Sequence, residues 1–415
     1  MKKFFMKNQV IAVISTFVLL IISAILFQFE QTKDGIILAN TFLTTQLIAR
    51  EALVRLRNFL VMKALVYNDY SNTYQKQGDT IRVKKPPVYV ADEFSSTINL
   101  QNIAEDSVNI TLNHIADVSV SWTSKEKALN LEQFNQQVLD PAMEAIAQKI
   151  DEDIHKEFYK DVPYYVGTSG ATPDGLDDFA NAALALNNRK VPLSNRVAVW
   201  DPTAHSKFSI LDAIVHAEKS GSTQALREGA IGRIQGMDNY MTQNVQTHIA
   251  GDYTAKTDVT ITAGAAGATS IQLTSASDSG TQTLKKGDIF TLDGAQYVVT
   301  ADTAAAVSGV IAAVSIYPAL PKAFNALGSA NVTFADRTAG GHVANMAFIK
   351  NACAFVSRPL EPPMGGAQSY SANFEGISLR VTAGYDLTTK TEILSIDTLY
   401  GIKAVYPELA VRILG

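Results

Sequence analysis

Apolar residues recur at helical spacing in two long stretches of the chain and alternate at strand spacing through much of the rest. Between Thr44 and Val66, Leu47, Ile48, Leu53, Val54, Leu56, Leu60 and Val61 fall near a 3.6-residue period, which predicts an amphipathic helix. Met143, Ile146, Ile150, Ile154 and Phe158 repeat at three- and four-residue intervals. Asp140-Pro141 precedes them, pairing a side-chain acceptor with a residue that loses no bond in the first turn, so the longest helix is placed here. A shorter helix is predicted over Leu176–Leu186 with Asp174 as its cap. Another is predicted over Thr203–Ala217, after a buried strand Val197–Trp200 and the starter Asp201-Pro202.

Past Ser71, Asn72 and Gly78 the period shortens to two. Ile81 and Val83 share one face and Arg82 and Lys84 the other, and Pro86 and Pro87 end this strand or confine it to an edge. Val108/Ile110/Leu112 and Val118/Val120/Trp122 alternate in the same way. The whole reads as an extended β excursion whose second face holds too little apolar material for a core, so its partners must lie elsewhere. From Gly251 to Asp336 the chain turns rich in Thr, Ala, Ser and Gly. Short strands such as SIQLTS and QYVVTA are separated by Gly287-Asp288 and Asp293-Gly294, a pattern for a small β barrel or sandwich. Denser strands follow from Val343 onward (MAFIKNACAFVS, GISLRVT, TEILSIDTLYG, AVRIL), so the insertion interrupts an α+β parent.

Charge and composition narrow the function. At 415 residues, 47% hydrophobic and 18% charged, the chain is too apolar for default disorder. A net charge of −5 offers no basic excess to displace counterions from a phosphate backbone, which disfavours sequence-specific nucleic-acid binding. A single cysteine, Cys353, excludes an internal disulfide and a Cys-rich zinc site. Residues 1–37 differ in kind: Lys2, Lys3 and Lys7 precede an apolar run from Val10 to Phe27, the layout of a signal peptide or a membrane anchor. A third reading is a mis-assigned start, because a UUG or CUG leucine codon at Leu38 can initiate translation in bacteria. Without residues 1–37 the net charge becomes −7.

Candidate chemistry is sparse. Gly229, Gly232 and Gly236 lack phosphate-loop spacing and read as turns. Asp151, Asp153 and His155 cannot converge on a metal from one helix face and are expected on a solvated side. Asp174, Asp177 and Asp178 suit the capping of a helix better than hydrolysis. The histidines at 114, 155, 205, 216, 248 and 342 form no motif. No catalytic, cofactor or metal constellation is expected.

Five runs carry a resemblance: LANTFLTTQLIAREALVRLRNFLVMKALVYNDYSN with QGDTIRVKKP, LNLEQFNQQVLDPAMEAIAQKIDEDI, IGRIQGMDNYMTQNV, MAFIKNACAFVSRPLEPP, and the C-terminal GISLRVTAGYDLTTKTEILSIDTLYGIKAVYPELAVRILG. In colinear order they resemble major capsid (coat) proteins of short-tailed double-stranded-DNA phages. The resemblance implies the α+β tailed-phage capsid fold shared with herpesviruses. Its parts would be an N-terminal arm at 38–75, an extended β loop at 76–122, a peripheral domain with a spine helix at 123–173, an axial domain at 174–250 and 337–415, and a β-rich insertion at 251–336. It also implies self-association into hexamers and pentamers, a scaffolding protein and a portal as partners, weak sequence-blind contact with packaged DNA, and assembly in the host cytoplasm of a phage or prophage.

Arg82, Lys84 and Lys85 on the β loop are candidates for inter-subunit ion pairs, as are Arg55 and Arg57 on the arm; solvation of exposed strands is the alternative. A Lys84 or Lys85 crosslink to an asparagine, found in some relatives, has no identifiable partner here. The arm carries Arg50, Arg55, Arg57 and Lys63 against Glu51 and Asp69, the wrong sign for the acidic arm that some relatives use to hold a basic scaffold. A membrane-anchored adhesive protein with the β insertion as binding module is the second reading, and an enzyme the third.

Overall fold

The computed structural model describes residues 45–68, 80–85, 93, 106–123, 138–216, 227–277, 280–325, 331–336, 341–363, 367–374, 376–389 and 391–415. Along the chain run α1 (Thr45–Phe59), β1 (Thr80–Lys85), β2 (Asp106–Thr111), β3 (His114–Thr123) and α2 (Asp140–Lys160). Next come β4 (Tyr165–Gly167), α3 (Leu176–Asn188), β5 (Arg196–Trp200), α4 (Pro202–Ser209), β6 (Arg233–Ile234), β7 (Met237–Met241) and β8 (Thr247–His248). The insertion supplies β9 (Val259–Gly264), β10 (Ser270–Ser275), β11 (Ile289–Leu292), β12 (Ala295–Val299), β13 (Val310–Tyr317), β14 (Phe324–Asn325) and β15 (Val332–Phe334). The chain closes with β16 (His342–Ile349), β17 (Cys353–Arg358), β18 (Gln368–Phe374), β19 (Ile377–Asp386), β20 (Thr391–Ala404) and β21 (Ala410–Leu414).

The spine helix α2 is walled in by three layers. Its apolar row Met143, Ile146, Ile150, Ile154 and Phe158 shares one core with Ile48, Ala52 and Leu56 of α1, with Leu379, Leu394 and Ile396 of the β17–β20 sheet, and with Val199, Met346 and Phe348 of the β5–β16 sheet. Burial therefore extends to the polar row of the helix, and the expected solvated side is corrected: Asp151, Asp153 and His155 are all buried. Each has a partner, as buried polar groups must. Asp151 Oδ2 accepts the backbone N–H groups of Val61 (2.8 Å) and Met62 (3.2 Å) at the start of the one-turn helix Met62–Leu65. Asp153 accepts the Tyr400 hydroxyl at 2.7 Å and Lys149 Nζ at 2.8 Å. His155 Nδ1 accepts the Gln246 N–H at 3.2 Å. Asp140 is also not the cap: it stands in the first turn and forms an ion pair with Arg55 of α1.

In the five-stranded sheet the 14-residue β20 is central, with β3 along one edge and β19 and then β17 along the other. The second sheet, ordered β4-β21-β16-β5-β7-β6, joins strands from both sides of the insertion, and β8 also pairs with β16. α3 and α4 cover its far face, packing Phe179 and Phe208 around Trp200. Gly175, not Asp174, is the N-cap of α3, and Asp178 Oδ2 accepts the N–H groups of both Asp174 and Gly175. The helix expected over Thr203–Ala217 breaks after Ser209, with a second single turn at Asp212–Val215.

Strands of the insertion run β14-β9-β10-β13-β12-β11-β15, and a bridge between Thr260 and Asn331 joins the β15 end back to β9. The strands thus close into an antiparallel barrel, which decides between barrel and sandwich. Its core is its own, built from Ile261, Leu273, Phe290, Val299, Val314 and Phe334 among others. Asp293 and Gly294 turn the β11–β12 hairpin with φ of 51° and 80°, the left-handed pair that this two-residue turn needs.

Where β2 passes over β20, Gly401 lets the backbones meet. A Cβ there would overlap the Thr111 carbonyl oxygen. Gly401→Ala is expected to cost about 1–3 kcal/mol as the ribbon is pushed away. The check is hydrogen exchange of the β1–β2 amides, which should speed up while those of α2 do not.

Candidate assembly surfaces and the polar neck of the insertion

The β1–β2 ribbon pairs antiparallel from Thr80↔Thr111 to Lys85↔Asp106. Alternation sends Ile81 and Val83 inward with Ile110 and Leu112 onto Ala354, Val356 and Val405 of the same chain. The expectation of a ribbon with no core is corrected for this segment: its inner face is seated on β17, and the cations are left on the outer one. Residues 86–92 and 94–105 lie outside the described set.

Arg82 is exposed and its Nε donates to Ser107 Oγ at 2.8 Å; Lys84 is exposed on the same face. Lys85 is half-buried, with Nζ 4.9 Å from the centroid of the Tyr406 ring. On the arm, Arg55 is tied to Asp140 within the chain, and Arg57 lies on α1 with its side chain outside the described set. The five candidate cations are thus divided between two elements, the ribbon and α1.

A second polar feature went unread in the sequence. The chain leaves the body at β8 and returns at β16, and these strands pair with His248 opposite His342. His248 Nε2 meets Asp288 Oδ1 at 2.8 Å, and His342 Nδ1 meets Asp336 Oδ1 at 2.8 Å and Oδ2 at 2.9 Å. Asp288 also accepts the backbone N–H groups of Lys285 and Gly251. Arg412, wholly buried on β21, donates from Nη1 to the Gly287 carbonyl at 2.8 Å and lies 5.3 Å from the Tyr159 ring centroid.

Burial dominates the electrostatics of this neck. It lowers the Arg412 guanidinium to about 10 against the pull of Tyr159, Asp336 and Asp288. It lowers His155 to about 4 and raises Tyr159 to about 12. His342 is also lowered, since burial, Arg412 and His248 together outweigh Asp336. For Asp336, burial works upward, but the His342 hydrogen bond and charge hold it below the usual carboxylate range. The sequence signal was positional: one histidine stands just outside each end of the compositionally distinct segment 251–336.

Among the described residues, no group of three or more His, Cys, Asp or Glu side chains is placed to hold a metal ion. No helix among them is long and apolar enough to cross a membrane; the apolar run Val10–Phe27 lies outside the described set. Cys353 is buried and its thiol is pushed well up by desolvation.

A spine helix laid on a β platform, a mixed sheet assembled from both sides of an insertion, a β ribbon and an inserted barrel make up the tailed-phage major capsid fold, that of a structural shell subunit. The chain belongs to the P22 coat protein family: residues 38–415 match the family described as "P22 coat protein - gene protein 5". It is a structural major capsid protein of a bacteriophage, and its copies assemble into a capsid shell. Among solved structures, it is similar to a chain from Mycobacterium phage Che8, with 15% identity and a TM-score of 0.49, covering 85% of this chain and 90% of that one. It is also similar to the capsid of cyanophage P-SCSP1u, with 11% identity and a TM-score of 0.46 over 81% of this chain and 84% of that one. The mature capsid of bacteriophage PhiM1 gives 10% identity and a TM-score of 0.44 over 82% and 83%. No curated protein matches the chain. Nothing in these comparisons supports the membrane-anchored adhesive reading.

Proposed function

We propose that this coat subunit forms hexamers and pentamers of an icosahedral shell around double-stranded DNA, assembled in the host cytoplasm with a scaffolding protein and a portal. In this reading, residues 38–75 are the arm, 76–122 the extended loop, 123–173 the peripheral domain, 174–250 and 337–415 the axial domain, and 251–336 the insertion. The observation that supports it best is the ribbon: one face is held by its own body and the opposite face presents Arg82 and Lys84 outward. A cationic strip on a ribbon suits an acidic surface of a neighbouring copy, and closed symmetry repeats that one contact throughout a shell. The acidic balance of the chain keeps contact with packaged DNA weak and sequence-blind.

Co-expression with a scaffolding protein of the same phage is expected to yield closed shells by electron microscopy. The double variant Arg82→Glu/Lys84→Glu should leave soluble, folded subunits but reduce shell yield at least about tenfold, the effect of losing 1.4 kcal/mol per contact. Shells formed in undiminished yield would refute the role given to the ribbon cations. A chain that never assembles with its scaffold would refute the proposed assembly.

A further inference from the structure

We infer that the neck is an acid-released latch, in which protonation of His342, which lies beside His248, undocks the inserted barrel from the body without unfolding either. Both crossings of the chain carry a like pair: a histidine of the body, His248 on β8 or His342 on β16, meets a carboxylate of the insertion, Asp288 just before β11 or Asp336 just after β15. The two rings lie 5.4 Å apart. His342 uses Nδ1 on Asp336, so in the neutral ring Nε2 is an acceptor. That Nε2 is buried without a hydrogen-bond partner, as are Nε and Nη2 of Arg412. A proton added to His342 would therefore enter a site that provides no acceptor for it.

The proton would also arrive beside the buried Arg412 guanidinium, whose charge works against a charged His342 ring. Around the histidines and their carboxylates stand Tyr159 and Lys160 from α2, Arg412 from β21, Ser169 from the segment after β4 on Asp336, and Asp288 and Asp336 from the insertion, with His155 of α2 behind Tyr159 and Arg412. At the rim, Lys286 of the insertion pairs with Glu157 of α2 and with Asp161 at its C-cap.

Release leaves two intact bodies because each has its own core, and the apolar seam between them is separate from both: Ile289 and Val298 of the barrel on Leu414, edged by Tyr165, Tyr317 and Ala335. Hydrogen bonds of Tyr165 with Thr291 and Gln296, of Arg189 with Gln296 and of Tyr317 with Glu408 also cross the seam. The depressed basicity of His342 fixes the sign. The docked form binds fewer protons than the open one, so docking weakens as pH falls below about 6.5.

Hydrogen exchange of the full, unassembled chain, measured from pH 7.5 to 5.0 and corrected for intrinsic exchange, tests this. Protection of the amides at Gly251, which donates to Asp288, and Tyr165, which donates to Gln296 across the seam, is expected to fall by up to about tenfold per pH unit below 6.5, the slope of one-proton uptake. Protection of barrel amides such as Val299 and Ile316 should not change. In His342→Gln that slope should flatten; if this variant fails to fold, His342→Asn, which keeps a donor toward Asp336, serves the same purpose. Flat neck protection in the unaltered chain, parallel loss of neck and barrel, or an undiminished slope in a folded variant would overturn the latch.

Discussion

Replacing Arg412 by alanine is expected to destabilise the protein by about 3–5 kcal/mol, the usual cost of removing one partner from a buried charge cluster. The side chain is wholly buried, bonds the Gly287 carbonyl from Nη1, and is the cation of the neck that stays charged when both histidines are neutral. Without it, the buried carboxylates of Asp288 and Asp336 lose the guanidinium that faces them, and a void opens beneath the Tyr159 ring. Arg412→Met separates these effects, since it fills most of the volume and removes only the charge. It is expected to recover the cavity part of the loss and none of the electrostatic part. Urea unfolding followed by the fluorescence of Trp200 provides the measurement, and a loss below about 1 kcal/mol for the alanine variant would mean that water already carries the load.

Acid titration of stability should expose two opposed groups on the spine helix. His155 falls from 6.5 unfolded to about 4 folded, so the unfolded chain binds the extra proton and stability drops by about 3 kcal/mol as pH falls from 6.5 to 4. Asp151 behaves in the opposite sense. Burial raises it from 3.8 to about 6 against the pull of the Val61, Met62 and Lys63 N–H groups, so the folded chain takes up the proton first. Stability then gains about 3 kcal/mol over the same fall in pH, as the charged, buried carboxylate is neutralised. The two nearly cancel in the unaltered protein. Asp151→Asn, which keeps an acceptor for the same N–H groups, should uncover the acid-labile slope, and His155→Gln the acid-stabilised one. Parallel curves for all three proteins in urea titrations between pH 7 and 4 would disprove the assignment.

The spine helix shows where local pattern suffices and where it stops. Met143, Ile146, Ile150, Ile154 and Phe158 declared a helix and its apolar face, because side-chain period follows from backbone geometry alone. The same pattern placed Asp151, Asp153 and His155 in solvent. Polar residue type cannot reveal that a third layer closes over them, since that layer comes from Met62, Gln246 and Tyr400, about 90 or more positions away. Caps were misjudged for a related reason: Asp140 is taken up by Arg55, and Asp178, not Asp174, accepts the N–H group at the start of α3.

Alternation in the ribbon and turn chemistry at Asp293-Gly294 were legible, as was the shift of composition at the insertion. Each reflects a constraint acting over a few neighbouring residues, and so the sequence by itself determined the α+β class, the interrupted parent and the outward face carrying Arg82 and Lys84. Only the tertiary structure decided that the ribbon's inner face is seated on β17, that the inserted strands close through Thr260 and Asn331, and that His248 and His342 come to lie side by side. Those outcomes depend on strand pairing between distant segments, where register and closure are fixed by the packing of whole layers and leave no local trace in residue order.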